Sequence, residues 1–224
     1  MDHTLGAVAF DLDGTLYPNY RLNFRLIPFA LRELPLLLAF GKARNRLRGK
    51  GCPREFFLPG EDYYDAQARL TAAQLGADTV KTKEKLDRLI YRSWESHFTR
   101  IKLFPHVRET LEKLRRGGLK LALLSDFTPE GKLKALGLED LWDLVLCSER
   151  IGALKPDPLP FESLARGLGL EASRILYVGN SLSYDVRGAM NAGLKTALIR
   201  PWGGRSAADF VFFDYRKLAQ YVLG

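Results

Sequence analysis

The chain has 224 residues, 46% of them hydrophobic and 27% charged, with 20 Gly and 11 Pro, which excludes a disordered or collagen-like chain and leaves room for one large domain or one domain with an insertion. Two cysteines, Cys52 and Cys147, are too few for a disulfide framework and fit a reducing compartment, so a cytoplasmic protein is expected. The formal charge of +8 is local: residues 18–100 hold 16 Lys and Arg against 9 Asp and Glu, leaving a surplus of one for all the rest.

Residues 5–10 (LGAVAF) form a short apolar run that breaks at Asp11-Leu12-Asp13-Gly14, the pattern of a buried strand ending in a turn. The alternation then stops between residue 18 and about residue 104, where the pattern is helical, clearest over 62–75 and 83–98. The most apolar stretch, residues 27–40, contains Arg32, Glu33 and Pro35 and falls short of the roughly 20 apolar residues that a bilayer-spanning helix needs. No basic stretch precedes it at the N-terminus, where Asp2 and His3 stand, so no export signal is expected.

Strands and helices alternate from there on. Val107, Leu111 and Leu114 repeat at helical spacing before Gly117-Gly118, as do Leu164 and Leu168 before Gly169. Between and after them lie the apolar runs 119–124 (LKLALL), 144–147 (LVLC), 175–178 (ILYV) and 196–199 (TALI). This order predicts an α/β fold, a three-layer Rossmann-like parallel sheet core with an inserted all-helical cap, the core formed by residues 1–17 and 101–224 and the cap by residues 18–100. In such folds a ligand sits at the strand C-termini, and a lobe inserted after the first strand stands over them.

The chemistry-bearing residues collect at those ends. Asp11 and Asp13, one residue apart on an extended segment, point the same way, and two carboxylates so close call for a cation or a shared proton. Ser125-Asp126, Lys155-Pro156-Asp157 and Gly179-Asn180-Ser181 with Asp185 fall at or beyond the ends of later runs. A hydroxyl, an ammonium and more oxygen ligands brought to two carboxylates make a site for a phosphate held with a hard cation, and oxygen-only ligation favours Mg2+.

These four segments, in this order, resemble the motifs of the haloacid dehalogenase superfamily, over about residues 5–201 apart from the helical insertion, whose position matches the family's type 1 cap. The resemblance implies that Asp11 is the nucleophile, forming an aspartyl-phosphate, and that Asp13 protonates the leaving alcohol and then activates water. It further implies that Leu12, Ser125, Asp126 and Lys155 bind phosphate with Asp11, and that Asp11, Asp13 (through its carbonyl), Asn180 and Asp185 hold Mg2+. The acid at Asp13 separates phosphate-transferring members from the dehalogenases, which lack it. Asn180 stands where an aspartate is usual and brings no charge to the metal.

Each signal has a plainer reading. Ser125 could cap the helix after Pro129, and Asn180 and Asp185 could cap the helix running to Ala192. His3, His97 and His106 lack partners at zinc spacing, and neither cysteine has a histidine to activate it. The basic run Lys42, Arg44, Arg46, Arg48, Lys50 and Arg54 reads as a solvated lid face that attracts a phosphorylated metabolite; its aromatic neighbours lie at its edges, so nucleic acid is not the expected partner. Tyr63, Tyr64 and Trp94 read as core. The expected activity is a Mg2+-dependent phosphomonoesterase acting on a small phosphorylated metabolite, the alternatives being a phosphomutase of the β-phosphoglucomutase type and a catalytically weak binding module.

Overall fold

Short uninterrupted apolar runs are dry on both faces, which requires a sheet covered by helices on each side. The computed structural model describes residues 4–19, 31–48, 56–92, 101–201, 204 and 206–224. In it the five apolar runs form β1 (Ala7–Phe10), β2 (Lys120–Ser125), β3 (Leu144–Cys147), β4 (Ile175–Gly179) and β5 (Lys195–Ile199). The pairings are all parallel, in the order β3-β2-β1-β4-β5-β6. Phe10, the last residue of β1, pairs with both Leu123 and Val178, so the parallel strands β1, β2 and β4 end within two residues of one another and the residues after them emerge at one edge.

The last strand, β6 (Phe210–Phe212), was not expected. Three residues carry no readable period. The strand is placed by contacts distant in sequence: Asp209 accepts from the N–H and hydroxyl of Thr196, Arg200 N–H donates to Phe212 O at 2.7 Å, and the Phe210 ring stacks on Tyr221 with centroids 4.1 Å apart.

The helices are α1 (Leu34–Leu47), α2 (Tyr63–Leu75), α3 (Thr79–Leu86), α4 (Val107–Arg116), α5 (Glu130–Leu136), α6 (Ser148–Ile151), α7 (Pro158–Leu168), α8 (Arg187–Asn191) and α9 (Tyr215–Leu223). Alternate residues of β1 divide the core. Val8 and Phe10 join Leu111 and Leu114 of α4 and Leu218 of α9, whereas Ala7 and Ala9 join Phe161, Leu164 and Leu168 of α7. That is the three-layer arrangement.

Between β1 and α4 in the chain, α1 to α3 build two apolar clusters of their own. Leu36 and Phe40 meet Ala68, Leu86 and Ile90, while Ala43 and Leu47 meet Tyr63, Ala66 and Leu70, with Leu154 from outside the segment. Helix α3 starts at Thr79, earlier than the expected 83, because the Asp78 side chain accepts the Lys81 N–H at 2.9 Å and caps it. The chain widens into a π-helical stretch over Asp87–Arg92, and the expected continuation to residue 98, with Trp94 and His97, lies outside the described residues. So do His3 and Cys52. No helix among the described residues is long and apolar enough to cross a membrane.

Candidate active site

The turn after β1 is shaped by glycine. Asp11 extends the ladder by donating its N–H to Val178 O at 2.9 Å, and Gly14 then turns with φ 86°. A Cβ there would lie 2.0 Å from Asn180 Nδ2, so neither the conformation nor the space admits another residue. Gly179 ends β4 for a related reason, since its missing Cβ leaves room for the Asp185 side chain.

Lys155, from the loop between α6 and α7, reaches back to this turn. Its Nζ donates to Asp11 Oδ1 and Asp185 Oδ1, both at 2.7 Å, with Tyr177 OH at 3.1 Å and Leu124 O at 3.4 Å. All three charged groups are buried, at 6% exposure for Asp11, 3% for Lys155 and 2% for Asp185. Burial pushes the Asp11 carboxyl up to about 7, opposed by Lys155 and reinforced by Asp185 and Asp13. For Lys155 burial acts downward, but Asp11 and Asp185 outweigh it and hold the ammonium well above its ordinary value.

The remaining contacts fix each carboxyl group. Asp11 Oδ2 accepts from Thr15 Oγ1 at 2.7 Å. Asp185 Oδ2 accepts the N–H groups of Asn180 at 3.1 Å and Ser181 at 2.9 Å, so it braces the loop after β4; the helical turn there is capped by Ser181, whose hydroxyl accepts from Tyr184 N–H. Asn180 Nδ2 donates to the Asp13 carbonyl at 3.3 Å. Asp13 is held by Lys132 Nζ, 2.6 Å from each of its oxygens, and by the Tyr17 hydroxyl.

Ser125 closes β2, fully buried, and its Oγ accepts from Phe127 N–H at 3.3 Å; it does not cap α5, whose first turn follows Pro129 without a side-chain cap. Asp126 accepts the Lys155 N–H at 3.2 Å and pairs with Arg48 at 2.9 Å. Burial would raise its carboxyl, but Lys155, Arg48 and Arg44 hold it below the usual range. The Leu12 side chain goes to the core, leaving its backbone at the turn. A cavity of about 230 Å³ is lined by Asp11, Asp13, Asp126, Lys155, Asn180 and Asp185 among others, so the structure brings together most of the residues singled out in the sequence.

The basic run needs correction. Lys42 and Arg46 are exposed, as expected of a solvated face, but Arg44 is buried and ion-paired with Glu149, and Arg48 pairs with Asp126 and stacks on Tyr184, both of which line the cavity. The helix makes the difference, because residues four apart share a face, and this face of α1 turns inward. Lys50 and Arg54 lie outside the described residues. Thr15, Tyr17, Lys132 and Tyr177 also enter the site without having been singled out. Thr15 was signalled by its spacing from Asp11, while Lys132 is 119 residues from Asp13 and carried no local signal.

The donor set is all oxygen, but it is no closed metal cage. Among the described residues no group of three or more His, Cys, Asp and Glu is arranged to hold an ion. Mg2+ does not need one, since it keeps several waters and takes one or two carboxylates with phosphate oxygens. Asp11 and Asp185, bridged by one ammonium, with the Asp13 carbonyl beside Asn180, fit that demand.

The chain matches the family model for haloacid dehalogenase-like hydrolase over residues 5–193. It belongs to that family. Glyceraldehyde 3-phosphate phosphatase from Methanopyrus kandleri is 33% identical over 200 residues, covering 87% of this chain and 83% of that protein. The (S)-2-haloacid dehalogenase of Pseudomonas sp. strain YL is 28% identical over 214 residues, covering 91% and 85%. Among solved structures, the HAD phosphatase from Thermococcus onnurineus aligns with a TM-score of 0.64 at 26% identity, covering 97% of this chain and 98% of that one. The haloacid dehalogenase-like family thus contributes both phosphatases and dehalogenases to the neighbourhood of this chain.

Proposed function

We propose that the protein is a Mg2+-dependent phosphomonoesterase acting on a small phosphorylated metabolite. The observation that carries this reading is the second carboxylate: Asp13 lines the same cavity as Asp11, where a dehalogenase has no acid to place. Asp11, oriented by Thr15 and Lys155, attacks phosphorus; the ester P–O bond breaks, and the leaving oxygen takes a proton from Asp13. Asp13, now a carboxylate, accepts a proton from the water that attacks the aspartyl-phosphate, freeing phosphate and Asp11.

Lys155 faces the charge of the transferring group, and Ser125 and the backbone at Leu12 and Asp126 bind its oxygens. Bound through Asp11, the Asp13 carbonyl, Asp185 and Asn180, Mg2+ would offset the negative charge of phosphate and carboxylates. Residues 18–100 act as the cap, with Arg44 and Arg48 docking it on the core. The likeness to a glyceraldehyde 3-phosphate phosphatase supports a small phosphate ester as the substrate.

The test is inorganic phosphate release from a panel of phosphate monoesters, with Mg2+ or a chelator, beside Asp11→Asn. Turnover that requires both Mg2+ and Asp11 is expected. Conversion of a sugar phosphate to its isomer without phosphate release would move the reading to a mutase.

A further inference from the structure

A buried lysine is costly unless its ammonium is paired, so where it spends that charge shows what it is for. Lys132, in the first turn of α5, is 6% exposed, and its Nζ stands 2.6 Å from both Asp13 oxygens. It also lies 5.4 Å from the centroid of the Phe127 ring, which lines the cavity and carries the Arg44 guanidinium at 4.0 Å. The Tyr17 hydroxyl donates to Oδ1 of the same Asp13 carboxyl. Asp13 is therefore gripped from two elements far apart in sequence, although its own backbone sits in a turn.

We propose that Lys132 is a positioning residue for Asp13, setting the orientation from which this carboxyl exchanges a proton with the leaving oxygen. The proposal rests on the phosphatase reading above. A single bond at Tyr17 leaves the carboxyl free to rotate about χ2, whereas an ammonium equidistant from both oxygens fixes its plane. With its Nζ on both Asp13 oxygens, Lys132 acts on the reaction through Asp13.

The experiment compares kcat/KM, with saturating Mg2+, for an alkyl phosphate and for p-nitrophenyl phosphate. An alkoxide leaves only with a proton, while p-nitrophenolate leaves without one. Lys132→Met keeps the volume of the stem and removes the charge. Its kcat/KM should fall at least about tenfold more for the alkyl ester than for the aryl ester, within the range of general acid catalysis, with KM little changed. Lys132→Arg should recover part of the alkyl activity, and Lys132→Gln, which carries the comparison if the Met variant does not fold, should show the same selectivity with a smaller loss. Equal losses on the two esters, or no loss on either, would overturn the role of Lys132. If the unsubstituted protein releases phosphate from neither ester, the phosphatase reading itself fails.

Discussion

At the scale of the residue, the site is built at the expense of stability. Asp11, the proposed nucleophile, must be ionised to attack, yet its surroundings raise its carboxyl from 3.8 to about 7. A carboxyl whose folded value lies above its unfolded one contributes stability at low pH and loses it as pH rises through the window between those values. The metal-free protein should therefore lose stability through this group between about pH 4 and pH 7, and Asp11→Asn should remove that loss. Above pH 7 the variant is expected to be more stable by on the order of a few kcal/mol, as read by chemical unfolding in chelator; equal stability at pH 8 would refute the cost. Asn180 makes a second prediction. Asn180→Asp adds a charged oxygen to the metal set, so the Mg2+ concentration for half-maximal activity should fall several-fold, measured by titrating Mg2+ against phosphate release.

At the scale of the element, α1 joins the helical segment to the sheet by two arginines one turn apart. Arg44 pairs with Glu149, stacks on Phe127 at 4.0 Å and donates to Gln67 at 3.2 Å; Tyr91 OH donates to Glu149 Oε1 at 3.0 Å. Burial raises the Glu149 carboxyl, against the pull of Arg44. Removing the guanidinium strands that carboxylate, so Arg44→Ala should cost about 3 kcal/mol or more. Arg44→Ala with Glu149→Ala should cost less than the two single changes added, as a double-mutant cycle in urea would show.

The sequence did not disclose this contact, because charge alternation in the run 42–54 looks like a wet surface until the helix phase of α1 is known. Core strands were legible for the opposite reason. β1, β2, β4 and β5 are almost wholly buried and β3 partly so, and all appear as apolar runs, whereas β6 is three residues long and held by Asp209 and Tyr221, which no local pattern links to it. Asp11, Lys155 and Asp185 were legible because they belong to an ordered set of short motifs that lie at or beyond the ends of apolar runs. Lys132 and Tyr177 enter through the tertiary fold alone.

For the whole molecule, the central claim is that a nucleophile after the first strand, an acid two residues on and a lysine from the loop between α6 and α7 form one phosphoryl-transfer site. The sheet order, with β1 between β2 and β4, delivers them to a single edge. The most direct test is to quench the protein in acid during turnover of its best ester with Mg2+, and then locate any phosphoryl group by mass spectrometry of the whole chain and its peptides. The account predicts one phosphoryl group, on Asp11, absent from Asp11→Asn and displaced by hydroxylamine. Steady turnover with no phosphorylated species, or a phosphoryl group on any other residue, would contradict it.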